Sequence, residues 1–391
     1  MQTGVSVNRF AGLDHLRALA VIIVVLFHYG IFAHPPGLSD VGAFGWTGVD
    51  LFFVLSGFLV GGQLFSKLAK EEPISYGEFY FKRTLRILPA YLFVVALYFA
   101  FPGFKERSEL PPLWRFLTFT QNLGLDIRLW GAFSHAWSLC IEEQFYLFLP
   151  LFIISLAAMK AHKKAVWLLP ALFVFGFAAR LASWYFLIAP KEGTAGFGIA
   201  YYRYIYYPTY TRLDGLLAGL ALAAVYHFQP AGWQRITRHG NKILAISLLL
   251  LAGLWWANQN EYQYAFSGAI FGYPLLSLAY GLLVLAALSP SCILYRYPSR
   301  FTSLIATLSY SIYLTHKQLI HLTHGLLDKY GIGKDSYTAF WIAIGISFLG
   351  GWLLHRIVEK PFLRLRDRLL ARSKKRTLLP AEETAPAQTT P

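Results

Sequence analysis

The stretch Leu13–Tyr29, LDHLRALAVIIVVLFHY, decides how the rest of the chain is read. It has the composition of a membrane-spanning helix, yet it carries Arg17 near its start and His28 near its end. At 100° per residue, eleven residues make three turns plus about 20°. The two side chains therefore share a helix face, roughly 16 Å apart along the axis. Ionisable groups at membrane depth are expensive and usually face a bundle interior or a wet cavity. Arg17 and His28 are thus either an interfacial anchor and a packing residue, or two points on the wall of a polar path.

Working outward, the chain has 391 residues, of which 56% are hydrophobic, 17% aromatic and 14% charged. Soluble domains carry about 25% charged residues, so the composition is that of an all-α polytopic membrane protein. Apolar runs fall at about 16–33, 46–65, 87–101, 137–158, 165–189, 212–228, 243–257, 265–288, 301–323 and 338–356, which predicts about ten transmembrane helices. With both termini cytoplasmic, 24 of the 35 Lys and Arg residues lie on the inner side. That is the expected bias of inner loops. Most of the +15 net charge is then topology, and no nucleic-acid partner is needed to explain it. The residues before the first helix are polar or small, so that helix is expected to act as its own insertion signal, with no cleaved leader. Cys140 and Cys292 map to opposite membrane faces, which excludes a disulfide between them and a metal site built on sulfur. The stretch 373–391 is basic and then rich in Pro, Thr and Ala. It reads as a disordered cytoplasmic tail.

Polar groups recur at membrane depth. Asp50, in GVDLFFVLSGFLVGG (48–62), enters at the level of His28 and is either an interfacial charge or the group that orients the imidazole. Arg83 and Arg86, in FYFKRTLRILPAYL (79–92), are helical neighbours. They form either an inner-side flank or a clamp for phosphates, which suit arginine forks. Glu142 and Glu143 sit in the aromatic stretch SHAWSLCIEEQFYLFLPLF (134–152). Adjacent residues point about 100° apart, so the two acids are expected to face different walls. LSYSIYLTHKQLIHL (308–322) puts Tyr313 and His316 on one face beside Lys317. Glu359, in HRIVEKPFLRLRDRLL (355–370), is expected to pair with the inner arginines. Arg180, Arg212 and Asp214 are further polar intrusions without an assigned partner.

Six of these elements together resemble the acyltransferase 3 family of integral-membrane O-acyltransferases. They are GLDHLRALAVIIVVLFH, GVDLFFVLSGFL, FYFKRTLRILPAY, HAWSLCIEEQFYLFLP, SYSIYLTHKQLI and VEKPF, in the family's order and spanning about 9–365. The family's arginine–histidine pair falls on Arg17 and His28, its inner arginines on Arg83 and Arg86, and its acidic motif on Glu142. Lys317 and His15 depart from the pattern, at positions where an apolar residue and glycine are common.

The resemblance implies a bacterial cytoplasmic (inner) membrane protein with no bound cofactor or metal. Acyl-CoA, usually acetyl-CoA, would be the donor and a surface or lipid-linked carbohydrate hydroxyl the acceptor. It also implies acyl-CoA phosphates at Arg17, Arg83 and Arg86, and a base at His28 oriented by Asp50 or Glu142. A transient acyl-histidine is the competing route. Glu143, Tyr313, His316 and Glu359 are further candidates. Some relatives carry an added esterase-like domain. Transfer is expected here to be completed by the membrane domain or by a separate protein. A transporter or flippase for a polar solute is the alternative that intramembrane charge also suits.

Overall fold

The computed structural model describes residues 10–37, 42–107, 109–158, 165–259 and 262–378. Among these there is no strand. The long helices are α1 (Ala11–Phe32), α2 (Gly48–Ala69), α3 (Tyr76–Ala100), α4 (Trp137–Ala158), α5 (Ala165–Ser183), α6 (Asp214–Phe228), α7 (Gly240–Asn258), α8 (Tyr273–Ala287), α9 (Arg300–Asp328), α10 (Tyr337–Leu354) and α11 (Lys360–Leu378). All ten apolar stretches are helical.

Among the described residues, eight segments are long and apolar enough to cross a membrane. α6 is apolar but only 15 residues long, and the 29-residue α9 falls short on hydropathy. The shortfall has a structural cause. Ser309, Ser311, Thr315, His316, Lys317, Gln318 and Thr323 of α9 are all buried in the protein, where polar groups at membrane depth can be satisfied. Lipid-facing surfaces carry the opposite residues: Leu249, Trp256, Val174 and Trp341 are among the most exposed side chains. The chain is thus a multi-pass helical membrane protein.

Two helix boundaries differ from expectation. α3 begins at Tyr76, well before the apolar run at 87, because Ser75 caps it by accepting the Glu78 amide at 3.3 Å. Arg83 and Arg86 consequently lie on a regular helix. At the other end, α10 passes through a π-helical turn, His355–Glu359, into α11. α11 runs to Leu378, into the stretch expected as tail, and 379–391 lie outside the described residues.

α2 and α6 pack backbone to backbone. A Cβ on Gly57 would come within 2.1 Å of Leu216 O, and one on Gly219 within 2.1 Å of Val54 O. Glycines at this spacing let membrane helices approach closely. The approach delivers Asp50 of α2 to Arg212 at the foot of α6, at 2.7 Å, and both are buried. Arg180 of α5 pairs with Asp214 in the same layer, with its second nitrogen at 3.1 Å. The polar intrusions at 180, 212 and 214 are therefore cross-links among α2, α5 and α6. Both cysteines are buried and free.

Candidate functional site

Two cavities among the described residues are lined by the candidate side chains. The first, of about 100 Å³, takes its polar lining from five helices, including Arg17 of α1, Ser56 of α2, Arg83 and Arg86 of α3, Glu142, Glu143 and Tyr146 of α4, and Tyr310 and Tyr313 of α9. Among the described residues, no carboxylate lies within ion-pair distance of any of the three arginines. Arg83 lies instead over the Tyr146 ring, 5.0 Å from its centroid. The Tyr146 hydroxyl donates to Glu142 Oε2 at 2.8 Å and sits 2.8 Å from Ser56 Oγ. Three guanidinium groups thus face one small space with their donors uncommitted to carboxylates, which suits a polyanion.

The second cavity, of about 390 Å³, is lined by His28, His135 and Lys317 and by an aromatic wall that includes Trp46, Trp137, Tyr202, Tyr206, Tyr207 and Tyr264. His28 Nδ1 is 3.0 Å from Val24 O and 3.1 Å from His316 Nε2. His135 packs its ring 5.8 Å from that of His28 and 5.1 Å from that of His316. Lys317 Nζ bonds Glu106 Oε1 and Ser134 Oγ, both at 3.0 Å. Glu106 in turn accepts from the Tyr98 hydroxyl (2.8 Å) and the Phe133 amide (3.0 Å). Phe133 is fully buried with φ +53°, a left-handed conformation that costs a bulky side chain energy. Its amide bond to Glu106 helps hold it there, just before Ser134 and His135.

Val49 and Tyr313 line both cavities. The Tyr313 hydroxyl is bonded on two sides, 2.6 Å from Ser138 Oγ and 2.7 Å from His135 O. α1 runs past this partition, so that Arg17 opens into one cavity and His28 into the other.

A family profile described as an acyltransferase domain matches residues 10–356. The chain belongs to the acyltransferase 3 family. Among curated acyltransferase 3 relatives, the "Peptidoglycan O-acetyltransferase OatA" of Listeria monocytogenes is 30% identical over 89% of this chain and 55% of its own length. The "O-acetyltransferase OatA" of Staphylococcus aureus strain NCTC 8325 is 27% identical over 90% and 56% respectively. A "Putative O-acetyltransferase SACOL0978" of S. aureus strain COL is 24% identical over 90% and 57%. The chain spans about half the length of these relatives. No solved structure matches.

The acyltransferase 3 candidates do not all converge. Arg17, Arg83, Arg86 and Glu142 share the first cavity. Glu143 joins them, contrary to the expectation that adjacent acids face different walls, because the cavity spreads across more than 100° of the α4 surface. Asp50 is not the partner of His28. It belongs to Arg212, whose guanidinium is stacked between Tyr273 and Tyr206 at 3.9 and 4.8 Å. Glu142 is also excluded from that role, since it lines the cavity that does not contain His28. Glu359 accepts from Ser311 (2.7 Å) and pairs with His355 (2.8 Å) rather than with the arginines. The π turn rotates it inward against α9. Sequence reasoning missed Glu106 and His135 as site residues. A buried lysine at 317 demands a counter-charge, and that demand was the available signal for Glu106.

Proposed function

We propose that the protein is a membrane O-acyltransferase that moves an acyl group, acetyl in the simplest case, from cytoplasmic acyl-CoA to a hydroxyl of a cell-surface or lipid-linked carbohydrate. One observation carries the reading: Arg17 and His28, on one face of α1, open into two cavities that share the walls Val49 and Tyr313. The arginine cavity matches the phosphates of CoA in charge. The histidine cavity offers aromatic faces for a sugar ring and an imidazole for its hydroxyl. The concentration of Lys and Arg in the segments on the Arg17 side supports cytoplasmic termini, the ten helical apolar runs support ten spans, and the bacterial sources of the relatives support a bacterial cytoplasmic membrane. The relatives' names support O-acetyl transfer, and the acceptor class is read from the aromatic wall.

The step balances as acyl transfer. The acceptor hydroxyl gives its proton to His28 as its oxygen bonds to the thioester carbonyl carbon, and the C–S bond breaks. The proton then passes to the departing thiolate, leaving an ester and CoA thiol. The test uses inside-out membrane vesicles from cells expressing the chain, which bring their own acceptors, supplied with radiolabelled acetyl-CoA. Label is expected in carbohydrate with the wild type and to be absent with His28→Ala, at equal protein in the membrane. Wild-type turnover in His28→Ala overturns the reading. Solute uptake by the vesicles without acetyl-CoA consumption would support the transporter alternative instead.

A further inference from the structure

The geometry points to His316 as the residue that positions the His28 base, in the role more often filled by a carboxylate. This rests on the proposed acyl transfer. Hydrogen placement follows from three carbonyl groups, which can only accept. His316 Nδ1 lies 3.1 Å from Ile312 O and 2.9 Å from Tyr313 O, so it carries a proton aimed back at its own helix. His28 Nδ1 lies 3.0 Å from Val24 O, so it too carries a proton. His316 Nε2, 3.1 Å from that same His28 Nδ1, must then present its lone pair, because two protons cannot share the contact. The His28 Nδ1 proton is held between the Val24 carbonyl and His316 Nε2. The lone pair of His28 is left on Nε2, the tautomer a base needs.

Four of the nearby carboxylates are committed elsewhere, and Glu143 lines the arginine cavity, not the one that holds His28. Asp50 is bound to Arg212, Glu142 to Tyr146, Glu106 to Lys317 and Glu359 to His355. His316 has no exposure and sits one position before the cavity-lining Lys317, so it meets His28 from inside the bundle and leaves the cavity side of the ring open. When His28 takes the acceptor's proton, the His316 lone pair is already aligned on the Nδ1–H of the imidazolium. The neutral ring stabilises the cation without contributing a charge of its own.

The test uses the same vesicle assay with radiolabelled acetyl-CoA, with protein level and solubilised monodispersity checked for each variant. His316→Met fills the volume without an acceptor. It is expected to lower the rate at saturating acetyl-CoA about ten- to hundredfold, the loss of one hydrogen bond to a charged group, with KM for acetyl-CoA unchanged. His316→Gln, whose amide oxygen can accept from His28 Nδ1, is expected to recover most of that rate. A Met variant as fast as the Gln variant, or a rise in KM at unchanged maximal rate, overturns the assignment. Loss of label in His28→Ala alongside wild-type rates in both His316 variants removes this inference and leaves the acyl-transfer reading standing. Label retained in His28→Ala removes both.

Discussion

Replacing Asp50 by alanine separates two roles that look alike in sequence. If Asp50 oriented His28, the substitution would slow transfer and leave the fold intact. The structure places it differently. The carboxylate is 2.7 Å from Arg212, and the paired side chains are 3% and 1% exposed. Removing one partner of a buried pair strands the other charge and costs about 3–5 kcal/mol. The rings of Tyr273, Tyr206 and Trp137, at 3.9, 4.8 and 5.3 Å from the guanidinium, continue to hold the stranded cation. They favour the lower end, about 3 kcal/mol, or roughly a hundredfold in the folded-to-unfolded ratio. Asp50→Asn keeps an acceptor for Arg212 and should cost about 1–2 kcal/mol. Asp50→Leu combined with Arg212→Met removes both charges and should recover most of the loss. Unfolding by SDS titration in mixed micelles, followed by tryptophan fluorescence, measures all three against the wild type. An Asp50→Ala protein that unfolds at the wild-type midpoint yet has lost transfer would refute the reasoning and return Asp50 to the catalytic group.

Two further outcomes follow from the arginine cavity and from the α2–α6 contact. Arg83→Ala with Arg86→Ala should raise KM for acetyl-CoA at least about tenfold, since charge-assisted bonds contribute about 1.5–3 kcal/mol each. Steady-state kinetics on the vesicles check this, and an unchanged KM removes the phosphate clamp. Gly219→Ala drives a methyl group toward Val54 O and should destabilise the SDS-unfolding midpoint by more than about 2 kcal/mol. Gly62→Ala is the control, because its Cβ would meet only His227 Nε2 at 3.6 Å. It should be neutral or slightly stabilising.

Helix content was legible because ten apolar runs of spanning length leave little else to build. α3 was read too short because its first turns, around Lys82, Arg83 and Arg86, have no apolar excess. A Ser75 cap and tertiary burial decide its start instead. The first cavity was largely legible too, since Arg17, Arg83, Arg86 and Glu142 each stand out against an apolar helix. Pairings were not. Asp50 and Arg212 are 162 residues apart, and nothing local distinguishes a carboxylate that meets an arginine from one that meets a histidine. Glu106 lay hidden among ordinary loop charges. The angular argument about Glu142 and Glu143 failed because it treated the cavity as a flat wall, when it wraps around α4.

The partition at Val49 and Tyr313 has a bearing on the cell's energy supply. Two polar chambers set end to end in a membrane protein are most of an ion channel, and in the bacterial cytoplasmic membrane proposed for this chain a channel would dissipate the proton gradient. Moving one charge through 100 mV releases about 2.3 kcal/mol, a steady driving force on any continuous file of water. A valine side chain and a tyrosine whose hydroxyl is tied on both sides stand between the two cavities that would carry such a file. On the proposed function, an acyl group has to reach the histidine side while protons are kept from following it. The shared wall is then as much an insulator as a passage.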